Sequence, residues 1–119
     1  MKPIWVVDDD QSIRFVLEKA LQREGFSVRS FASPREVLKA LEEDAPQVVV
    51  SDIRMPGGSG IDLLAQVKQR HPGLPVIIMT AYSDLESAVS AFQGGAFEYL
   101  PKPFDVDQAL ELIRRAIGE

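Results

Sequence analysis

Short apolar runs rich in β-branched residues recur along the chain as IWVV (4–7), FSVRSF (26–31), VVV (48–50), VIIM (76–79) and FEYL (97–100). Between them the apolar residues fall at the 3.6-residue spacing of helices. The first such segment puts Ile13, Val16, Leu17, Ala20 and Leu21 on one face and stops before Gly25, with Phe15 pointing away from that face. The second opens with Ser33 as cap, Pro34 at the first helical position and Glu36 closing a capping box; Ser83 and Glu86 open the fourth in the same way. The fourth carries Leu85, Ala88, Val89 and Phe92 as its apolar stripe, with Ala91 and Ser87 on its other faces and Gly94 and Gly95 at its end. The last follows Asp105 and aligns Val106, Ala109, Leu110, Ile113 and Ile117. Five strands alternating with five helices predict an α/β fold with a parallel sheet. The unbroken apolar character of the first, third and fourth runs predicts helices on both faces. In such a doubly wound sheet, ligands bind beyond the carboxyl ends of the strands, where the strand order reverses.

Length and charge narrow the function. A chain of 119 residues builds one domain around one core, taken as residues 1–119. The formal net charge of -5 argues against binding nucleic acid or an anionic membrane through the bulk field, since both need a basic stripe. There is no cysteine, hence no disulfide framework and no thiolate metal site, and the start MKPIWVVDDD lacks the apolar stretch of a signal peptide. No apolar run approaches the roughly 20 residues that span a bilayer. A soluble, cytoplasmic protein is expected.

The strand ends carry the chemistry. Strand 1 runs into Asp8, Asp9 and Asp10; strand 3 into Ser51 and Asp52; strand 4 into Thr80; strand 5 through Leu100 and Pro101 to Lys102. Three consecutive carboxylates repel one another, by roughly 4 kcal/mol per pair at 4 Å in the effective dielectric of a protein surface. Acidic residues from two strands form a hard oxygen cluster suited to Mg²⁺, which offsets that repulsion and leaves positive charge to meet an anion. Lys102 and Thr80 would complete a clamp on a phosphoryl group. Each residue alone has a plainer reading: Asp10 as the cap of the first helix, Asp52 as a turn residue before Met55-Pro56-Gly57, Lys102 as a solvated lysine. Their meeting at the ends of four strands is what favours a site. His71 reads as a helix C-terminal residue that favours the dipole, and GGSG (57–60) as a turn and helix start, since it matches neither glycine fingerprint of phosphate loops.

This constellation resembles the receiver domain of two-component response regulators over the whole chain. The resemblance is carried by VVDDD (6–10), SDIRMPGGSG (51–60), MTA (79–81) and LPKPF (100–104). Within the family, WVVDDDQSIRFVLEKAL, SDIRMPG, LPVIIMTAYSDLESAV and GGAFEYLPKPFD are similar to the nitrogen-regulating members, whose chains continue into a sigma-54-activating ATPase and a DNA-binding region. The resemblance implies a flavodoxin-like (βα)5 sheet of order 2-1-3-4-5. It implies Asp52 as phosphoacceptor from a phosphohistidine of a sensor histidine kinase. Asp9 would bind Mg²⁺ directly, Asp8 at least through water, and Asp52 and the Arg54 backbone carbonyl would complete the protein's share. Lys102 would contact the phosphoryl group, pair with Asp52 in its absence and precede a cis proline. Thr80 would move toward the phosphoryl oxygens and Tyr99 would change its packing with it. The turn Gly57-Gly58-Ser59-Gly60 departs from the many relatives that place an aspartate before the last glycine. Such a domain is a signalling phosphoacceptor, not an enzyme beyond its own phosphorylation and dephosphorylation. Helix 4, strand 5 and helix 5 would report the modification, exposing Leu85 or Val89 to an output domain or a second receiver, and Phe15 would dock the kinase. Two alternatives compete: a haloacid-dehalogenase-type phosphohydrolase using Asp8, and a flavodoxin-like binding module without phosphotransfer.

Overall fold

The alternating pattern folds as its periods require. A computed structural model describes residues 2–55, 58–81 and 85–118. In chain order these form β1 (Ile4–Val7), α1 (Gln11–Arg23), β2 (Val28–Phe31), α2 (Pro34–Leu41), β3 (Val48–Asp52), β4 (Arg54–Met55), β5 (Gly58–Ser59), α3 (Gly60–Arg70), β6 (Val76–Ala81), α4 (Leu85–Gln93), β7 (Glu98–Lys102) and α5 (Val106–Ala116). Five strands make one sheet of order β2-β1-β3-β6-β7 in which every pairing is parallel, the expected 2-1-3-4-5 order. The sequence pattern missed only the antiparallel hairpin of β4 and β5, whose two-residue strands are too short to show a period.

Two cores, one on each sheet face, explain the apolar runs. Trp5, Val7, Val49, Val76 and Ile78 point to one side and pack with α2, α3 and Ala91 of α4; Ile4, Val6, Val48, Val50, Ile77 and Met79 point to the other and pack with α1 and α5. Alternate residues of one strand thus enter opposite cores, and both need to be apolar. The edge strand β2 is half-buried, and there Arg29 lies over the rings of Trp5 and Phe31 with its guanidinium 5.7 and 4.9 Å from their centroids.

The helix starts follow local rules. Ser33 caps α2 by accepting from the Glu36 N–H, with Pro34 next to the cap, while Glu36 Oε2 reaches back to accept from the Ser33 hydroxyl and from the Ala32 N–H, one residue before the cap whose N–H the expected capping box would use. Asp10 caps α1, Ser59 caps α3 and Asp105 caps α5. Ser83 lies outside the described residues, as do Pro56 and Gly57. His71 closes α3, its N–H donating to the Val67 carbonyl.

Three burial expectations need correction. Val16, placed on the buried stripe of α1, is exposed, while Leu17, Ala20 and Leu21 are buried and Ile13 packs partly against the same core. Leu112 joins the buried residues of α5. On α4 the inward face is Ala88 and Ala91, the latter 0 % exposed, whereas Val89 is 47 % and Phe92 43 % exposed. The helix faces the sheet with these two methyl groups and turns Val89 and Phe92 outward. The side chain of Leu85 lies outside the described residues.

That arrangement separates two substitutions on one helix. Ala91→Leu forces three extra carbons into a filled core and should cost roughly 1–3 kcal/mol. Val89→Ala, at an exposed position, should stay within about 0.5 kcal/mol. Urea unfolding of both variants measures this, and equal destabilisation would place Val89 in the core after all.

Candidate functional site

Register brings the acidic residues together. Val7 pairs with Ser51 at the ends of β1 and β3, so the next residues, Asp8 and Asp52, emerge side by side. Asp52 pairs with Met79 of β6, and Ala81 of β6 pairs with Lys102 of β7. Thr80, buried beside Pro101 in that register, lies between the two pairings. The fold therefore gathers Asp8, Asp9, Asp52, Thr80 and Lys102 at one sheet edge.

Asp8 has no exposed surface, and each of its polar atoms is used. Its N–H donates to the Phe31 carbonyl at 3.1 Å. Oδ1 accepts from the Asp10 N–H at 2.9 Å, Oδ2 from Lys102 Nζ at 2.9 Å, and its backbone carbonyl from Arg14 Nη1 at 2.5 Å. A buried carboxylate needs such partners, since desolvation without them costs several kcal/mol. Asp10 faces solvent and caps α1 by accepting from the Ser12 N–H at 2.8 Å, the plainer of its readings. Asp9 is exposed, and its carboxylate has no hydrogen-bond partner among the described residues.

Asp52 is held from behind. The Ser51 hydroxyl donates to its carbonyl at 2.9 Å, and the Ile53 N–H donates to its Oδ1 at 2.9 Å. The Gly60 N–H donates to the Ile53 carbonyl at 2.6 Å, and a Cβ at position 60 would lie 2.2 Å from the Asp52 carbonyl oxygen. Only glycine lets α3 start this close to the strand end. The GGSG stretch thus has a use for its last glycine, at the start of α3, that a phosphate-loop comparison does not reveal.

Lys102 stands between two carboxylates, 2.9 Å from Asp8 Oδ2 and 3.4 Å from Asp52 Oδ1. The expected pairing with Asp52 is present, and the shorter contact is to Asp8. Burial draws the Lys102 ammonium down, but its bond to Asp8 and the charges of Asp8 and Asp52 outweigh this and hold it above the ordinary lysine value. Burial lifts the Asp52 carboxyl above the ordinary aspartate value, the Asp8 charge adds to the lift, and Lys102 and the Ile53 N–H oppose it. The Lys102–Pro103 bond is cis, as the resemblance implied.

One ligand oxygen from each of Asp8, Asp9 and Asp52 lies within 4.8 Å of the others. Three clustered carboxylates with one outward-facing member and no nitrogen or sulfur ligand suit a hard cation such as Mg²⁺. The donor set fits. Arg54, whose carbonyl is the fourth expected ligand, is two residues past Asp52 in the exposed start of the hairpin. Tyr99 is half-buried and meets Phe92 of α4 edge to face, with 5.5 Å between ring centroids. Phe15 is 56 % exposed on α1 with Lys19 Nζ over its ring, as its position off the apolar stripe implied.

A parallel five-stranded sheet in which β1, β3 and β7 end in this acid-lysine cluster defines the phosphoacceptor receivers of response regulators. The response regulator receiver domain matches residues 4–114, and the chain belongs to that family. It is 62 % identical over 115 residues, 97 % of its length, to the DNA-binding transcriptional regulator NtrC of Escherichia coli K12, of which it covers 24 %. It superposes with a TM-score of 0.88 on the apo receiver domain of nitrogen regulatory protein C, at 61 % identity and covering 98 % of this chain and 94 % of that one. Against the BeF3-activated form of that domain the TM-score is 0.83, at 60 % identity and covering 98 % and 96 %. The chain spans about a quarter of the length of the curated relatives it matches. The hydrolase alternative is not supported: Asp8, its nucleophile, is buried with both carboxylate oxygens engaged. Among the described residues, no helix is long and apolar enough to cross a membrane.

Crowded charge has a measurable consequence. A carboxyl whose folded pKa is raised above the unfolded 3.8 loses stability as pH rises through the interval between the two, so ionised Asp52 destabilises the metal-free fold at neutral pH. Lys102 acts in the opposite sense: its stabilisation is complete below 10.5 and is lost as pH rises through its higher folded value. Because Lys102 keeps Asp8 as partner, Asp52→Asn should raise the Tm at pH 7 without Mg²⁺ by a few degrees, on the order of 1 kcal/mol. The gain should shrink when Mg²⁺ is added. A lowered Tm in the metal-free protein would show that Lys102 depends mainly on Asp52.

Proposed function

We propose that this receiver domain takes a phosphoryl group on Asp52 from a phosphohistidine of a sensor histidine kinase. The observation carrying this reading is the position of the Asp52 carboxylate, with the Lys102 ammonium at 3.4 Å and the carboxylates of Asp8 and Asp9 within reach of a shared cation. An Asp52 oxygen bonds to phosphorus as the bond from phosphorus to the donor nitrogen breaks, and the nitrogen keeps the electron pair. Little covalent help is needed for such an in-line transfer; positioning and charge neutralisation are the main requirements. Asp8, Asp9, Asp52 and the Arg54 carbonyl are the groups to hold Mg²⁺, which when bound supplies positive charge for the phosphoryl oxygens. Lys102 supplies the second positive charge and Thr80 a hydroxyl. The chemistry stops at phosphorylation and dephosphorylation of the domain itself.

Phe15 is the proposed anchor for the kinase, an exposed aromatic on the helix that follows the acidic loop. α4, β7 and α5 are the proposed output surface, with Val89 and Leu85 on α4 and the Tyr99 ring against Phe92. The relationship to NtrC favours a cytoplasmic regulator in which this domain precedes an ATPase and a DNA-binding region and governs a nitrogen-responsive transcriptional output. A second receiver on the same surface is the companion proposal.

One labelling experiment separates these roles. With Mg²⁺ and a small phosphodonor such as acetyl phosphate, the parent should be labelled once, Asp52→Asn not at all, and Phe15→Ala at the parent rate. With a phosphorylated histidine kinase as donor, Phe15→Ala should be slowed about tenfold or more, the scale of an interface anchor. Labelling of Asp52→Asn at the parent rate refutes the phosphoacceptor assignment, and equal slowing of Phe15→Ala by both donors refutes the docking role.

The switch proposal has its own readout. Adding beryllofluoride and Mg²⁺ should change amide hydrogen exchange across α4 and β7 by severalfold, because small-residue packing lets a helix shift at low cost. Changes confined to the neighbourhood of Asp8, Asp52 and Lys102 would remove α4 from the response.

A further inference from the structure

Arg14 touches the acidic loop at two points. Its backbone N–H donates to the Asp10 carbonyl at 3.2 Å, and its Nη1 donates to the Asp8 carbonyl at 2.5 Å. The two carbonyls flank Asp9, whose carboxylate no described side chain or backbone group holds. The direction of the Asp9 side chain therefore depends on its own backbone. On the far side of that backbone the Asp10 N–H is tied to Asp8 Oδ1 at 2.9 Å. On the near side the Asp8–Asp9 peptide is oriented by the Arg14 guanidinium. We propose that Arg14 is a positioning residue for the metal site: by holding the Asp8 carbonyl it fixes the peptide plane that aims the Asp9 carboxylate toward Asp8 and Asp52. This rests on the reading of that cluster as a Mg²⁺ site.

The position of the charge makes the inference decisive in sign. A guanidinium beside a divalent-cation site repels the ion, so if Arg14 acted through its charge alone, removing it would tighten Mg²⁺ binding. If it acts by orientation, removing it loosens Mg²⁺ binding, because the ligand must be ordered when the ion arrives. Groups that orient metal ligands from outside commonly contribute ten- to a hundredfold in affinity. Arg14 is half-buried on the first turns of α1, and its main-chain bond to Asp10 survives any side-chain change.

The test is Mg²⁺ titration by calorimetry of the parent, Arg14→Met, Arg14→Lys and Asp9→Ala, with the Tm of each metal-free protein. Arg14→Met should bind Mg²⁺ about tenfold more weakly than the parent. Arg14→Lys, which keeps the charge and one flexible donor, should fall between them. In metal-free spectra, the Asp9 and Asp10 amide resonances should shift in Arg14→Met while those of β6 stay in place. Unchanged or tighter Mg²⁺ binding by Arg14→Met overturns the proposal; were that variant too unstable to titrate, parent-like affinity in Arg14→Lys with unshifted Asp9 and Asp10 amides would overturn it equally. A parent that does not bind Mg²⁺, or an Asp9→Ala variant that binds as well as the parent, refutes the metal-site reading itself.

Discussion

Three carboxylates cluster at the carboxyl edge of the sheet around one ammonium that reaches only two of them, and the rest of the structure serves that imbalance. Asp8 is the fixed member, buried and bonded through every polar atom, with Lys102 as the cation on its carboxylate. Asp52 is the tense member, more distant from Lys102 and lifted in pKa by burial and by Asp8. Asp9 is the open one. A cluster with surplus negative charge attracts a cation, and the cation in turn lets a phosphoryl group approach a carboxylate it would otherwise repel. The cores on both faces of the sheet matter to this chemistry because they keep β1, β3, β6 and β7 in a register that forbids the carboxylates from separating.

Much of this is legible in the residues. Continuous apolar runs in β1, β3 and β6 announce burial on both faces, and capping residues mark the starts of α2 and α5. The meeting of Asp8, Asp9, Asp52 and Lys102 follows from strand ends and a parallel topology, with no knowledge of side-chain positions. What stayed hidden depends on distance between backbones. The role of Gly60 comes from a 2.2 Å approach to the Asp52 carbonyl, which glycine in a turn advertises only weakly. Arg14 acts on a main-chain oxygen six residues earlier, and main-chain acceptors leave no mark in a sequence. Lys102 makes the pairing with Asp52 that the resemblance implies, but lies half an ångström nearer Asp8, a preference that strand order alone does not show.

The helix faces show where periodicity stops being sufficient. On α4 a stripe of Ala88, Val89 and Phe92 reads as core because large apolar residues outweigh small ones in any hydrophobic pattern. The sheet keeps Ala88 and takes Ala91 in place of Val89 and Phe92, because a methyl group allows the helix to approach closely and a valine would hold it off. Val16 on α1 also falls on the apolar stripe and is nonetheless exposed.

The alanine seam under α4 also divides the helix into two independent texts. Substitutions at Val89 rewrite what the surface displays without disturbing the joint beneath, since its side chain is turned away from the sheet, whereas Phe92 also rests its ring edge to face on Tyr99. A lineage of such domains can therefore drift in the company it keeps while the machinery at the sheet edge stays unaltered. Diversity of association and constancy of chemistry are compatible here because they are written on opposite sides of a single helix.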